Sequence, residues 1–186
     1  AEIGHHMAYV LNVRESYGLT EGEIGESQNA LSQRGEPFTA RDILSRAFQQ
    51  KINLYTMAGE WSKLRNTYYT VANFYLRAHD NSSALSYLYL VFFMDMSGMG
   101  NKNNLVPYEN LFPTQKGMIL LMDEIRKELR MTMDDVKTSF LSSIARLAPR
   151  LPFSYFSPQM MGSMLLERLR GQDFNGTRYI ADRNVP

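Results

Sequence analysis

The segment NSSALSYLYLVFFMDM, residues 81–96, constrains this chain more than any other. Fourteen residues without a charge lie between Asp80 and Asp95. A helix needs about 20 apolar residues to cross a bilayer, so this interval is too short to span one and reads as a buried core element. By propensity YLYLVFFM suits a strand, being rich in aromatic and branched side chains. Its surroundings favour a helix. A polar turn, His79-Asp80-Asn81, stands just before it, with Asn81 placed to cap. Ahead of that turn Trp61, Leu64, Tyr68, Val71, Tyr75 and Ala78 recur at steps of three and four, the stripe of an amphipathic helix. Within the segment, Ala84, Leu88, Val91 and Asp95 line one face, and Leu85, Tyr89, Phe92 and Met96 line another. The expectation is a central helix with apolar neighbours on every side.

The rest of the chain fits an all-α fold of about six helices in antiparallel hairpins, with an irregular N-terminal arm. The expected organisation is an arm at 1–38, a single all-α domain at 39–171 and a tail at 172–186. The opening AEIGHHM reads equally as native chain or as a cloning leader ahead of Met7, so His5 and His6 are set aside. Residues 8–38 have weak periodicity and contain Gly18, Gly22, Gly25 and Gly35. Thr20 and Glu23 have the spacing of a capping box, but glycines behind a cap cost about 1 kcal/mol each in a helix interior. At most one short helix, around 26–33, is expected there. Thr39 with Asp42 and Thr132 with Asp135 are stronger starts. Leu44, Phe48, Ile52 and Tyr55 then mark one helix, closed by Gly59. Met118, Met122, Ile125 and Leu129 mark another, from about Thr114 to Arg130. Met133, Val136, Phe140, Ile144 and Leu147 mark a third. Ser157-Pro158 opens the last helix, which Gly171 is expected to close. Residues 97–113 hold Gly98, Gly100, Pro107 and Pro113 and read as a long loop.

Residues of about 61–96 resemble a tetratricopeptide-type helical hairpin, two antiparallel helices of about 34 residues in all. With Tyr68 at the first aromatic position of that family, Val71 and Ala72 fall on its Leu-Gly pair and Tyr75 on the inner aromatic. Ala84 falls on the small residue at the helix crossing, Leu88 on the large apolar position and Val91 on the next small one. Two positions depart from the pattern. Met96 stands where the family usually has proline, and His79-Asp80 replaces its Gly-Asp turn. A neighbouring hairpin 34 residues earlier fits poorly, so the resemblance covers about a sixth of the chain. It implies a partner surface on the outward side of the first helix, at Arg65, Tyr69, Asn73 and Arg77; the alternative for Tyr69 is a core position, since with Ala72 and Leu76 it widens the apolar stripe.

Several function classes lose ground on composition alone. The chain has 186 residues, no cysteine, 44% hydrophobic and 21% charged residues, and a net charge of +1. Zero Cys excludes disulfides, thiolate metal sites and a cysteine nucleophile. No Walker-type or dinucleotide-type glycine loop, H-E-x-x-H or G-x-S-x-G occurs. No cofactor or metal site is expected. No secretory signal or membrane-spanning segment is read either, and the expected address is the cytoplasm. His79 at a helix end reads as a cap, its imidazolium suited to the negative end of the macrodipole. Asp123, Glu124 and Glu128 alternate with Arg126, Lys127 and Arg130, as surface pairs on a solvated face do. Asp95 reads as an anchor for a buried polar contact or for the loop after it.

The most favoured function is protein–protein interaction, as an adaptor or assembly protein whose partner is another protein or a second copy of itself. Charge supplies the alternative. Residues 1–60 are net −3, 61–113 net +1 and 114–186 net +3. If Arg146, Arg150, Arg168 and Arg170 converged, they would neutralise several phosphates, with Tyr155, Phe156 and Tyr179 available to stack on bases. A carboxylate-based enzyme is the third reading, and it needs Asp95, Asp123 or Glu124 brought together in a pocket. The 12 methionines, including Met94, Met96, Met99, Met160, Met161 and Met164, read chiefly as core at their helical spacing.

Overall fold

A computed structural model describes residues 9–99, 108–151 and 156–184, with the side chains of 108–115 and 172–184 left out. Among the described residues the chain is all-α, with no strand. A 3-10 turn at Arg14–Tyr17 is followed by seven α-helices: α1 (Glu21–Gln33), α2 (Ala40–Ala58), α3 (Trp61–Arg77), α4 (Asn81–Met96), α5 (Tyr108–Glu128), α6 (Met133–Leu147) and α7 (Pro158–Asn184). Contacts divide the chain into two units, Ala1–Gly59 and Glu60–Pro186. The division falls after α2, whereas the sequence pattern had placed a single domain over 39–171. None of the described helices is long and apolar enough to cross a membrane.

The first unit corrects the expectation of an irregular arm. Thr20 and Glu23 form a complete capping box: the Glu23 N–H donates to Thr20 Oγ1 at 3.1 Å and the Thr20 N–H to Glu23 Oε1 at 3.0 Å. Ile24, Ser27 and Leu31 are buried on α1, and Ile43, Leu44, Ala47, Phe48 and Ile52 on α2, which packs against it. Ser27 Oγ donates to the Ile43 carbonyl at 2.6 Å, so the one buried hydroxyl of α1 is satisfied by its neighbour. Lys51 Nζ donates to the Gly18 carbonyl at 2.6 Å and to Glu23 at 3.3 Å, tying the turn before α1 onto α2. Caps and this tether offset what the glycines cost. Gly59 closes α2 in the left-handed conformation, φ 66°.

The second unit is built around α4. Every residue from Ala84 to Asp95 is buried, and α4 touches each of the other four helices of its unit. Burial thus overrides the strand propensity of YLYLVFFM, as the flanking signals required. α3 and α4 form an antiparallel hairpin: the turn at 78–80 joins them, and Arg65 near the start of α3 meets Asp95 near the end of α4. His79 takes the left-handed conformation at φ 59°, and Arg130 does the same at φ 57° after α5. The N-cap of α4 is Asp80, whose carboxylate accepts the Ser83 N–H at 3.1 Å. Asn81 is instead the first helical residue, and its amide donates to Glu128 at 2.6 Å. Thr39–Asp42 and Thr132–Asp135 form capping boxes, and Ser157 Oγ accepts from the Met160 N–H.

Two further boundaries differ from expectation. α5 begins at Tyr108, six residues before the expected start, and carries Pro113 in its second turn. Pro113 is the sixth residue of α5, just past the orphan N–H groups of the first turn, so it forgoes one i→i−4 hydrogen bond close to the helix start. The remainder of the expected 97–113 loop at 100–107 lies outside the described residues. α7 continues past Gly171 to Asn184, through most of the expected tail. One glycine costs about 1 kcal/mol in a helix and ends it only when the backbone also turns left-handed.

Candidate functional site

The outward side of α3 grows from the residues next to its buried stripe. Leu64, Thr67, Tyr68, Val71, Ala72 and Phe74 face inward. Arg65 and Tyr69 come one position later in each turn, at the margin of that stripe. The Arg65 guanidinium forms a fork on the Asp95 carboxylate, Nε to Oδ1 at 3.0 Å and Nη2 to Oδ2 at 3.1 Å. Bidentate charge-assisted pairs of this kind fix geometry as well as charge. The Asp95 side chain is 3% exposed and that of Arg65 17%. Burial pushes the Asp95 carboxyl above its ordinary value; the hydrogen bonds and charge of Arg65 pull against that without reversing it. Arg65 Cζ in turn lies 5.9 Å from the centroid of the Tyr69 ring, within cation–π range.

Above this pair the surface is polar and aromatic. Tyr69 is 37% exposed, Asn66 and Arg77 are exposed, and Thr70 and Asn73 are half-buried. Arg65 also reaches Asn66 Oδ1 at 3.5 Å, and the Thr70 hydroxyl donates to the Asn66 carbonyl at 3.0 Å. Of the four residues singled out from the sequence, Tyr69, Asn73 and Arg77 thus reach the surface. Arg65 does not project outward as expected, because Asp95 holds it against the hairpin. Asp95 was legible as an anchor, since an isolated carboxylate in an uncharged helix needs a partner. Its partner was not legible, lying 30 residues away in sequence.

Beneath the surface the hairpin is lined with tyrosines. The rings of Tyr75 and Tyr87 stack at 5.7 Å and 16°, and Tyr68 lies 6.2 Å from Tyr87. Burial raises the hydroxyl pKa of Tyr68, and takes those of Tyr87 and Tyr89 up to about 12. All three therefore stay neutral across the physiological range. The Tyr89 hydroxyl is buried without a partner in hydrogen-bond geometry, although Ser139 lies close by.

The four C-terminal arginines are placed differently from one another. Arg168 is half-buried, its guanidinium 5.4 Å from the Phe92 ring centroid and Nη1 3.0 Å from Met96 Sδ. Arg170 is exposed two residues on, and residues two apart do not share a helix face. Arg146 and Arg150 are exposed at and just beyond the end of α6.

The acidic group on α5 departs from the solvated face read in the sequence. Asp123 is buried at 5% and is held by Arg126 at 2.7 Å and Lys127 at 3.0 Å. Arg126 also donates to the Met131 carbonyl, so the pair closes the turn after α5. Glu124 is exposed. Asp95 therefore serves Arg65, whereas Asp123 serves Arg126 and Lys127. Among the described residues no three His, Asp or Glu side chains gather into a group that would hold a metal ion. Met94, Met99, Met118, Met122 and Met161 are buried in the core, as expected, whereas Met57 and Met160 are exposed. No family model, characterised protein or solved structure matches this chain.

Proposed function

We propose that the chain is a protein–protein interaction module whose partner lies along the outward side of α3. The observation that carries this reading is Tyr69, a large aromatic at the surface, backed by a guanidinium that a buried carboxylate holds in place. Tyrosine and arginine dominate binding energy where they are rigid, because little rotamer freedom is then lost on association. The amides of Asn66 and Asn73 stand about two turns apart on the same helix, three residues before and four after Tyr69, and carry both donors and acceptors. The tetratricopeptide-like reading of residues 61–96 agrees with this assignment. Its support is the close approach of α3 and α4 with Ala72 and Ala84 both buried. The compartment assumed is the cytoplasm, the expectation from a cysteine-free sequence.

A photo-crosslinking side chain placed at position 69, with one at exposed Thr138 on α6 as a control, tests the proposal. A discrete adduct at 69 and none at 138 is expected. The partner so identified should bind the purified chain, and Tyr69→Ala should weaken that binding at least tenfold. A second copy of the chain in the adduct would make the partner the chain itself. Equal labelling at both positions, or full binding by Tyr69→Ala, would contradict the proposal.

A further inference from the structure

The contact chain Asp95–Arg65–Tyr69 has a consequence for how the α3 surface is made. We infer that Asp95, which cannot touch a partner, is the positioning residue of that surface: its carboxylate fixes Arg65, and Arg65 fixes the Tyr69 ring. This rests on the reading of α3 as the partner surface, but its first test does not need a partner.

The geometry supports the inference in three steps. The Asp95 side chain is 3% exposed, so the protein itself holds it still. Both of its oxygens are taken by one guanidinium, at 3.0 and 3.1 Å, which leaves the Arg65 head group no rotational freedom about that contact. The guanidinium then lies 5.9 Å from the centroid of Tyr69, a ring that is otherwise 37% open to solvent. A long arginine side chain that is normally mobile at a surface is thereby made a fixed backing for an aromatic one turn away. Lysine would not serve, since an ammonium cannot make the planar fork.

The test is nuclear magnetic relaxation of the Arg65 Nε–H and of the Tyr69 ring in the full chain, unliganded. In the unaltered chain the Arg65 Nε–H should be as ordered as the backbone, with an order parameter of about 0.85. Asp95→Asn retains the shape of the side chain, and should bring the Arg65 order parameter below about 0.6 and shift the Tyr69 ring resonances. Arg65→Lys, which keeps the charge and spares the buried carboxylate a bare vacancy, should shift the same Tyr69 resonances. If Asp95→Asn left Arg65 as ordered as before, or if Arg65 were already mobile in the unaltered chain, the inference would be overturned. With a partner in hand, Asp95→Asn should weaken binding severalfold with unchanged fold. An intact ordering effect combined with binding indifferent to Tyr69 would refute the α3 surface and leave the positioning contact standing.

Discussion

α1 and α4 are helices for opposite reasons. α4 has an unremarkable cap, a single carboxylate at its N-cap, and a sequence that suits a strand. It is helical because helices close over it, with all of Ala84–Asp95 removed from water. α1 buries only Ile24, Ser27 and Leu31 and carries Gly22 and Gly25. It is helical because Thr20 and Glu23 satisfy its first N–H groups and Lys51 holds the turn before it. The difference shows two ways in which a weak local preference becomes a fixed element. One is tertiary burial, which acts on the whole unit. The other is a handful of hydrogen bonds at one end, which act on a few turns.

Substitutions separate the two. The largest effect is expected in α4. Phe92 is fully buried, edge-on to Phe140 with centroids 6.1 Å apart. Phe92→Ala should destabilise the second unit by about 3–5 kcal/mol, read from urea denaturation, because the space it leaves cannot collapse among four helices. In α1, Thr20→Ala should cost about 1 kcal/mol, and that loss should appear as faster local opening of residues 21–33 with the second unit unaffected. Gly25→Ala should act in the opposite direction, gaining roughly 0.5–1 kcal/mol in the same local measurement. A Cβ at that position meets nothing within 4 Å, and alanine is the better helix former.

The smallest expected effects are in pH dependence, and they have opposite signs in two carboxylates. Burial raises the folded pKa of Asp95 above its ordinary 3.8, so the folded chain holds that proton more tightly than the unfolded chain. Its contribution is fully present below pH 3.8 and is lost as pH rises through the folded value. The stability difference between the unaltered chain and Asp95→Asn should therefore fall with rising pH in that window. Asp135 accepts backbone and side-chain hydrogen bonds from Thr132 in the capping box of α6, which lowers its pKa below 3.8. Its contribution is present above 3.8 and is lost as pH falls through the folded value. The corresponding difference for Asp135→Asn should shrink on acidification. Paired titrations of stability for the two variants check both signs.

What could be read from the sequence follows the same division. The burial of α4 was legible, because the fourteen uncharged residues between Asp80 and Asp95 are mostly apolar and too few to cross a bilayer. Thr39, Thr132 and Ser157 were legible as starts, since each shows its cap within three residues. α1 was misread although its cap was seen, because the glycine cost is written in the sequence and the tether from Lys51 to Gly18, 33 residues away, is not. Gly171 was misread as a stop for a related reason: a glycine permits a left-handed turn but does not demand one. At the candidate site, Tyr69, Asn73 and Arg77 were picked out by the hairpin resemblance, and all three have surface accessible to solvent. Arg65 turned inward onto Asp95 because the hairpin brings the start of α3 to the end of α4, a pairing that no local pattern encodes.

The contrast between α1 and α4 is most directly tested by native-state hydrogen exchange on the full chain. Amides of Leu88–Phe93 should exchange only through global opening of their unit, with the highest protection free energy in the molecule. Amides of Ile24–Leu31 should exchange through a smaller opening that Thr20→Ala accelerates and Gly25→Ala slows. Equal protection of the two helices, or an α4 that opens before α1, would contradict the account.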